Sequence, residues 1–336
     1  MMNLRSSSHS SRISVVEGLR GLAAISVAVF HFSGSLSSEL AKLIGAYAWL
    51  GVDVFFVISG FVIPLSLYGR GYELRQFPSF ILRRLVRLEP PYLFTIAMVI
   101  VLYHIAMMVP GFQGANWSYS LSQIASHLFY VVPFTDHKWL QPVYWSLAYE
   151  FAFYLAVGAL FPFLINLRIE WTVLVGAVIF VAVCLAKGVL DFRILQFIVG
   201  VLLMRFVVEE RDRTSAGLWL AISIGLVFVT GGLIFGIKVA FTAFAILLCR
   251  GFDFGRWAYF LGGISYSLYL THVPIGGRVI NLGRRFGDGA MFDMFLIVAA
   301  TVISVIFAIY FARFIERPAM RLSRRLTAEQ TPLAAR

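Results

Sequence analysis

Three ionisable residues near the start of the chain have the spacing of one helix face. Glu17, Arg20 and His31 lie in a segment that is otherwise apolar enough to enter a membrane. Arg20 and His31 are 11 residues apart, so a helix would place them about 16 Å apart on the same face. Such groups are costly in a membrane unless they face protein or water, which favours a functional role. A snorkelling arginine and a hydrogen-bonded histidine at the helix end would explain the spacing equally well.

A second basic motif precedes the third apolar segment. Arg84 and Arg87 are three residues apart, so on a helix they share a face. Two guanidinium groups on one face can fork onto phosphates. The pattern alone favours the other interpretation, an anchor that binds lipid headgroups. Pro90 and Pro91 are predicted to break or kink the helix at this point.

Polar residues also interrupt two later apolar segments. Glu150 lies in an aromatic run, where burying a carboxylate is expensive. Tyr266, Tyr269 and His272 recur every three residues and share a broad polar face of a helix. Glu316 stands at the end of the last apolar segment, where an interfacial ion pair would also account for it. No spacing of ligands suggests a zinc or haem site.

The composition defines the class of protein in which these residues act. Hydrophobic residues make up 60% of the 336-residue chain and charged residues only 13%, against about 45–50% and 25% in soluble domains. Apolar runs long enough to cross a hydrocarbon core recur from end to end. We therefore predict an all-α, polytopic membrane protein with about ten transmembrane helices around a polar cavity. The net charge of +11 does not indicate nucleic-acid binding, because no aromatic-interleaved basic region accompanies it.

The apolar runs give the expected spans, and the basic residues give their orientation. With the N-terminus in the cytoplasm, most of the 28 lysines and arginines fall on the cytoplasmic side, as the positive-inside rule requires. The segment from about residue 110 to 143 is then non-cytoplasmic, and we interpret it as a short interfacial helix and loop. The predicted spans are residues 15–34, 49–68, 91–109, 144–165, 171–187, 190–207, 215–233, 236–250, 257–279 and 290–313.

Six motifs in order give the chain a resemblance to the membrane-bound acyltransferase 3 family. The resemblance covers nearly the whole chain and depends on the ordered set rather than on any one motif. The motifs are EGLRGLAA followed by His31-Phe32, GVDVFFVISGF, RRLVRLEPPY, WSLAYEFAFYL, GGISYSLYLTH and FIERP.

The resemblance implies an enzyme and a set of site residues. The family's essential histidine matches His31, and its paired arginine matches Arg20. Its Arg-x-x-Arg motif matches Arg84 and Arg87, and its terminal acidic residue matches Glu316. The resemblance implies transfer of an acyl group, often acetyl, from cytoplasmic acyl-CoA to a carbohydrate at the outer face. Acyl-CoA would be a co-substrate, with no tightly bound cofactor. The sequence departs from the expected pattern around Glu89, which places the local helix start in doubt.

These observations combine into one functional expectation. We expect His31, Arg20, Glu150 and Glu316 in the catalytic centre. The expected cofactor-binding residues are Arg84, Arg87, Arg20, Tyr266 and Tyr269. His31 would accept the proton of the acceptor hydroxyl, or form an acyl-histidine.

The expected organisation follows from the spans and the charge bias. It is a cytoplasmic tail (1–14), an acyltransferase domain (15–315) and a second cytoplasmic tail (316–336), in the inner (plasma) membrane. The expected partners are acyl-CoA, a carbohydrate or glycolipid acceptor and membrane lipids, with no nucleic acid. The alternative is a transporter or flippase of glycolipids or small polar molecules, which would also carry intramembrane charges.

Overall fold

The protein is helical throughout the part of the chain that the structure, a computed structural model, describes. The described residues are 13–48, 51–108, 119–187, 191–209 and 213–328, and they contain no strand. The helices, in chain order, are α1 (Ser14–Ser33), α2 (Glu39–Ala48), α3 (Gly51–Gly69), α4 (Phe77–Met107), α5 (Leu121–Leu128), α6 (Trp145–Leu164), α7 (Ile169–Lys187), α8 (Arg193–Val208), α9 (Arg213–Gly231), α10 (Leu233–Cys249), α11 (Gly255–Gly283), α12 (Ala290–Phe311) and α13 (Arg317–Ala328). The all-α prediction is therefore confirmed.

Membrane-spanning capacity follows from helix length and apolarity. Within the described residues, six helical runs are long and apolar enough to cross a membrane, centred on α1, α3, α4, α6, α9 and α12. α8 and α10 coincide with predicted spans but have only 16 and 17 residues, fewer than the roughly 20 that a crossing needs. The chain is thus a multi-pass membrane protein, whereas the count of about ten spans and the polar cavity stay predictions.

The described chain divides into two compact units. The first unit comprises residues 1–24, 50–77 and 153–263, and the second comprises residues 25–49, 78–152 and 264–336. α1, α6 and α11 each contribute residues to both units.

In the first unit, α3 and α8 pack at backbone distance. A side chain at Gly60 would overlap the carbonyl of Phe197, and one at Gly200 would overlap the carbonyl of Val57. Small residues at such a crossing let two membrane helices approach closely. Near the same interface the amide of Gln196 donates to the buried carboxylate of Asp53 at 2.6 Å.

The second unit has an apolar core around the end of α1. Phe32 and Ala28 from α1 pack against Ile280 of α11 and Leu296 and Ala300 of α12. All five side chains are buried. This core fixes the last turns of α1 against α11 and α12, and His31 lies in those turns.

The prolines of α4 do not end the helix, so the predicted break at the start of the third span is wrong, whereas the alternative, a kink, stays a prediction. α4 runs without interruption from Phe77 through Pro90 and Pro91 to Met107. Just before the prolines, the hydroxyl of Tyr266 donates to the carbonyl of Leu88 at 3.0 Å. Arg84 and Arg87 therefore lie on one continuous helix, as their spacing predicts.

The segment after α12 and the segment between α4 and α6 also contain helical structure. A π-helical stretch, Ala312–Glu316, joins α12 to α13, so most of the predicted C-terminal tail is helical as far as Ala328. The predicted interfacial segment contains α5 and a 3-10 turn, Val132–Phe134. Its residues 109–118, including Asn116 and Trp117, lie outside the described residues.

Candidate active site

Two histidines face each other in the second unit. His31, in the last turn of α1, has its ring centroid 5.2 Å from that of His272 on α11. The two ring planes are inclined by 40°. His31 is half-buried and His272 is fully buried. The sequence predicts that His272 lies on a polar helix face and indicates no role for it, and the structure brings it to the predicted essential residue.

The hydrogen bonding of His272 fixes its tautomer. Its Nδ1 lies 3.0 Å from the carbonyl oxygen of Leu268. A carbonyl can only accept, so in the neutral imidazole Nδ1 carries the proton and Nε2 holds a lone pair. Nε2 is buried and has no hydrogen-bond partner among the described residues. Buried polar atoms are nearly always paired, so an unpaired acceptor beside His31 marks this place as a site for chemistry.

The tyrosines of α11 bond to neighbouring elements of the second unit. The Tyr269 hydroxyl donates to the carbonyl of Val143 at 2.9 Å and lies 2.6 Å from the hydroxyl of Ser146. The Tyr266 hydroxyl donates to the carbonyl of Leu88 on α4. The two tyrosines, predicted to bind the cofactor, thus connect α11 to α4 and to the start of α6.

Glu316 is held inside the protein by a residue that the sequence analysis did not select. The hydroxyl of Ser267 donates to the Glu316 carboxylate at 2.5 Å. Glu316 is buried in the π-helical stretch, so an interfacial ion pair does not account for it. Four residues of α11 between positions 266 and 272 therefore contact, in order, α4, the π-helical stretch after α12, the start of α6 and the end of α1.

The other predicted site residues lie on α4, α6 and the first part of α1. The Arg84 guanidinium lies 5.4 Å from the ring centroid of Phe80, and Arg87 is half-buried one turn later. Glu150 is half-buried on α6. Arg20 belongs to the first unit, where its guanidinium lies 3.8 Å from the carboxylate of Glu17. No described contact tests the catalytic and cofactor-binding roles predicted for these residues.

A cavity opens beside the last turn of α1. Its volume is about 270 Å³, and the ring of Phe30 on its wall lies 5.0 Å, centroid to centroid, from His31. The cavity would hold one sugar ring or a short acyl group. Its lining residues are Phe30, Ser33, Gly34, Leu36, Lys42, Gly45 and Ala46.

A third buried histidine has a structural role. His127 on α5 accepts a hydrogen bond from the Leu140 amide through Nε2 at 3.0 Å, and its Nδ1 lies 2.9 Å from the Gln123 carbonyl. Burial lowers the pKa of His127, which favours the neutral form that these two bonds require. Both nitrogens are engaged, in contrast to His272.

Comparison with known proteins places the chain among acyltransferases. Residues 13–313 match the family model of the acyltransferase domain known as acyltransferase 3. The O-acetyltransferase OatA of Staphylococcus aureus is 30% identical over 166 residues, which are 45% of this chain and 25% of that protein. The chain thus matches about a quarter of the length of OatA.

Two further relatives come from other bacteria. The exopolysaccharide production protein ExoZ of Rhizobium meliloti is 28% identical over 83% of this chain and 92% of its own length. Protein 2 in the picA locus of Rhizobium radiobacter is 32% identical over 32% of this chain and 53% of its own length. No solved structure gives a significant match. Because the family model extends from the start of α1 into the π-helical stretch after α12, the chain belongs to the acyltransferase 3 family.

Proposed function

We propose that the chain transfers an acyl group, most simply acetyl, from cytoplasmic acyl-CoA to a hydroxyl of a cell-surface or lipid-linked carbohydrate. Family membership supports the acyl transfer. The names of two relatives, an O-acetyltransferase and an exopolysaccharide production protein, support the acetyl group and the carbohydrate acceptor. The observation that carries the proposal is the 5.2 Å approach of the His31 and His272 rings, together with a buried Nε2 of His272 that has no hydrogen-bond partner among the described residues.

In the proposed reaction His31 is the general base. It takes the proton of the acceptor hydroxyl as the oxygen attacks the thioester carbonyl, the carbon–sulfur bond breaks, and the proton passes to the departing thiolate. An N–H of His31 donates to Nε2 of His272, either directly after a small ring rotation or through one water. His272 is thus a positioning residue that stabilises the imidazolium formed on His31. An acyl-histidine intermediate on His31 remains the second route.

Arginines supply the binding energy for the donor in this proposal. Arg84 and Arg87, on one face of α4, pair with the CoA phosphates as charge-assisted hydrogen bonds. Arg20 contributes a further positive charge on α1. Binding energy from this remote part of the donor then positions the thioester for attack.

The acceptor enters through the cavity beside α1 in this proposal. Phe30 lies on the cavity wall and its ring centroid is 5.0 Å from that of His31, so a sugar in the cavity would be separated from the base by one side chain. Lys42 on the cavity wall can donate to sugar oxygens or pair with an acidic sugar.

The proposed location is the inner (plasma) membrane with both termini in the cytoplasm. The structure supplies one supporting contact. The Ser323 hydroxyl of α13 donates to the Arg83 carbonyl of α4 at 2.8 Å. Two arginine-rich segments therefore meet at one end of the second unit, as the positive-inside rule favours.

The test is transfer of labelled acetyl from acetyl-CoA to envelope glycans by membranes that contain the protein. The expected product is an ester-linked acetyl group, seen as one acetyl mass increment, which is absent when the gene is deleted. Unchanged glycan masses with an altered distribution of glycolipid between the leaflets would overturn the proposal and favour the flippase.

A further inference from the structure

The last helix presents a basic surface beyond the membrane-spanning part of the chain. Arg317, Arg321 and Arg324 of α13 follow at i, i+4 and i+7 and are exposed. Leu322 of α13 and Phe314 of the preceding π-helical stretch are 53% and 63% exposed. We call these five residues the basic face of α13. A helix with an arginine stripe next to exposed apolar side chains has the pattern of an interfacial helix.

The opposite side of α13 is fixed against the protein. Ala319 and Ser323 are buried, and the Ser323 hydroxyl donates to the Arg83 carbonyl of α4. This contact sets the rotation of α13 about its axis. The basic face therefore points outward because the other side of the helix is occupied.

In the part of the chain that the structure describes, the positive charge of this helix has no acidic partner. α13 contains no aspartate or glutamate. The adjoining Glu316 is turned inward and bonded to Ser267. Within the described residues, Arg317, Arg321 and Arg324 form no ion pair with a carboxylate. The basic face thus presents guanidinium groups that have no counter-ion among the described residues.

Helix length places the basic face at the edge of the membrane. α12 has 22 residues, and about 20 apolar residues cross the hydrocarbon core. α13 follows after one π-helical stretch, so its arginines emerge at headgroup level. There a guanidinium can fork onto a phosphodiester, and apolar side chains such as Phe314 and Leu322 can enter the acyl boundary.

We propose that the basic face of α13 binds the headgroups of anionic phospholipids. Its arginines pair with lipid phosphates, while Phe314 and Leu322 insert beside the first acyl carbons. A lipid surface suits the arginines better than one soluble phosphate compound does, because they extend along two helical turns with exposed apolar residues beside them. The inference does not depend on the proposed acyl transfer.

The experiment measures lipid binding by the purified full chain in detergent. Phosphatidylglycerol or phosphatidylcholine is titrated in, and bound lipid is counted by native mass spectrometry. The expected result is retention of phosphatidylglycerol over phosphatidylcholine. The variant R317Q/R321Q/R324Q lowers the affinity for phosphatidylglycerol by roughly a hundredfold, since each arginine contributes about fivefold near an anionic surface.

A matched control uses three exposed arginines at and directly after the C-terminal end of α11. R278Q/R284Q/R285Q removes the same charge, and it should leave phosphatidylglycerol retention unchanged. The variant R317K/R321K/R324K keeps the charge and should retain most of the lipid.

Three results would overturn the proposal, and none of them depends on acyl transfer. The first is equal retention of the two lipids by the unaltered chain, which can be measured even if no variant folds. The second is equal loss of lipid in the α13 variant and the α11 control. The third is displacement of phosphatidylglycerol from the basic face by millimolar inorganic phosphate or CoA, which would identify a soluble phosphate site instead.

Discussion

Replacing His272 by phenylalanine should slow acyl transfer without weakening donor binding. The phenyl ring fills the fully buried position and lacks the Nε2 atom that in the proposed reaction accepts from His31. The account assigns to that nitrogen one hydrogen bond to the imidazolium that forms on His31. A hydrogen bond to a charged group contributes about 1.5–3 kcal/mol, so kcat should fall about ten- to a hundredfold. The Michaelis constant for acetyl-CoA should stay the same, because His272 does not bind the donor in this account.

The assay separates a positioning role from a structural role. Initial rates of thiol release from acetyl-CoA are measured in membranes with equal amounts of each variant. His272→Gln is the conservative variant, because its side-chain oxygen can accept from His31, and it should recover part of the lost kcat. Thermal unfolding in detergent should differ little between the variants, since an apolar ring of similar shape replaces a buried polar one. An unchanged kcat for His272→Phe would refute the reasoning. So would a His272→Gln variant that loses as much kcat and as much thermal stability as His272→Phe does.

Three further predictions concern the donor site, the helix packing and the cavity. Replacing Arg84 and Arg87 together by glutamine should raise the Michaelis constant for acetyl-CoA by about a hundredfold, and an unchanged constant would exclude the phosphate clamp. Gly60→Ala should lower the free energy of unfolding by about 1–3 kcal/mol, because the new methyl group overlaps α8. Gly69→Ala is its control, since nothing lies within 4 Å of that position, and equal melting temperatures would contradict the packing. Phe30→Ala should raise the Michaelis constant for the carbohydrate acceptor and not that for acetyl-CoA; an unchanged acceptor constant would exclude this route to His31.

Much of the helical framework can be predicted from the sequence because membrane segments have a strong local signal. Each predicted span coincides with a helix, and Arg84 and Arg87 share one as expected. At Pro90 and Pro91 the local signal predicts a break or a kink, and the break is wrong. The helix continues there, and a distant tyrosine bonds to a carbonyl beside the prolines, a contact that no local pattern shows.

The site could be predicted only in part, because its partners come from distant parts of the chain. His31 and Glu316 stand out as ionisable residues in apolar surroundings. Their partners, His272 and Ser267, do not, since a polar residue on a membrane helix normally finds some interhelical partner. The periodicity of α11 indicates a polar face. Only packing determines that this face meets His31 and Glu316.

The charge pattern of the C-terminal helix can be read from the sequence, but the orientation of that helix in the structure cannot. The arginines after residue 316 predict a cytoplasmic segment. The sequence does not show that α13 is fastened to α4 by Ser323 with its arginines turned outward. That orientation depends on a hydrogen bond between residues 240 positions apart.

The central claim is that His31 is the base in a transfer from acyl-CoA to a carbohydrate hydroxyl. The most direct measurement is transfer of labelled acetyl from acetyl-CoA to envelope glycans by membranes containing the unaltered chain or His31→Ala at equal protein levels. The account predicts labelled, ester-linked glycan with the unaltered chain and a loss of about 10²- to 10⁴-fold with His31→Ala. Full acylation by His31→Ala would contradict it.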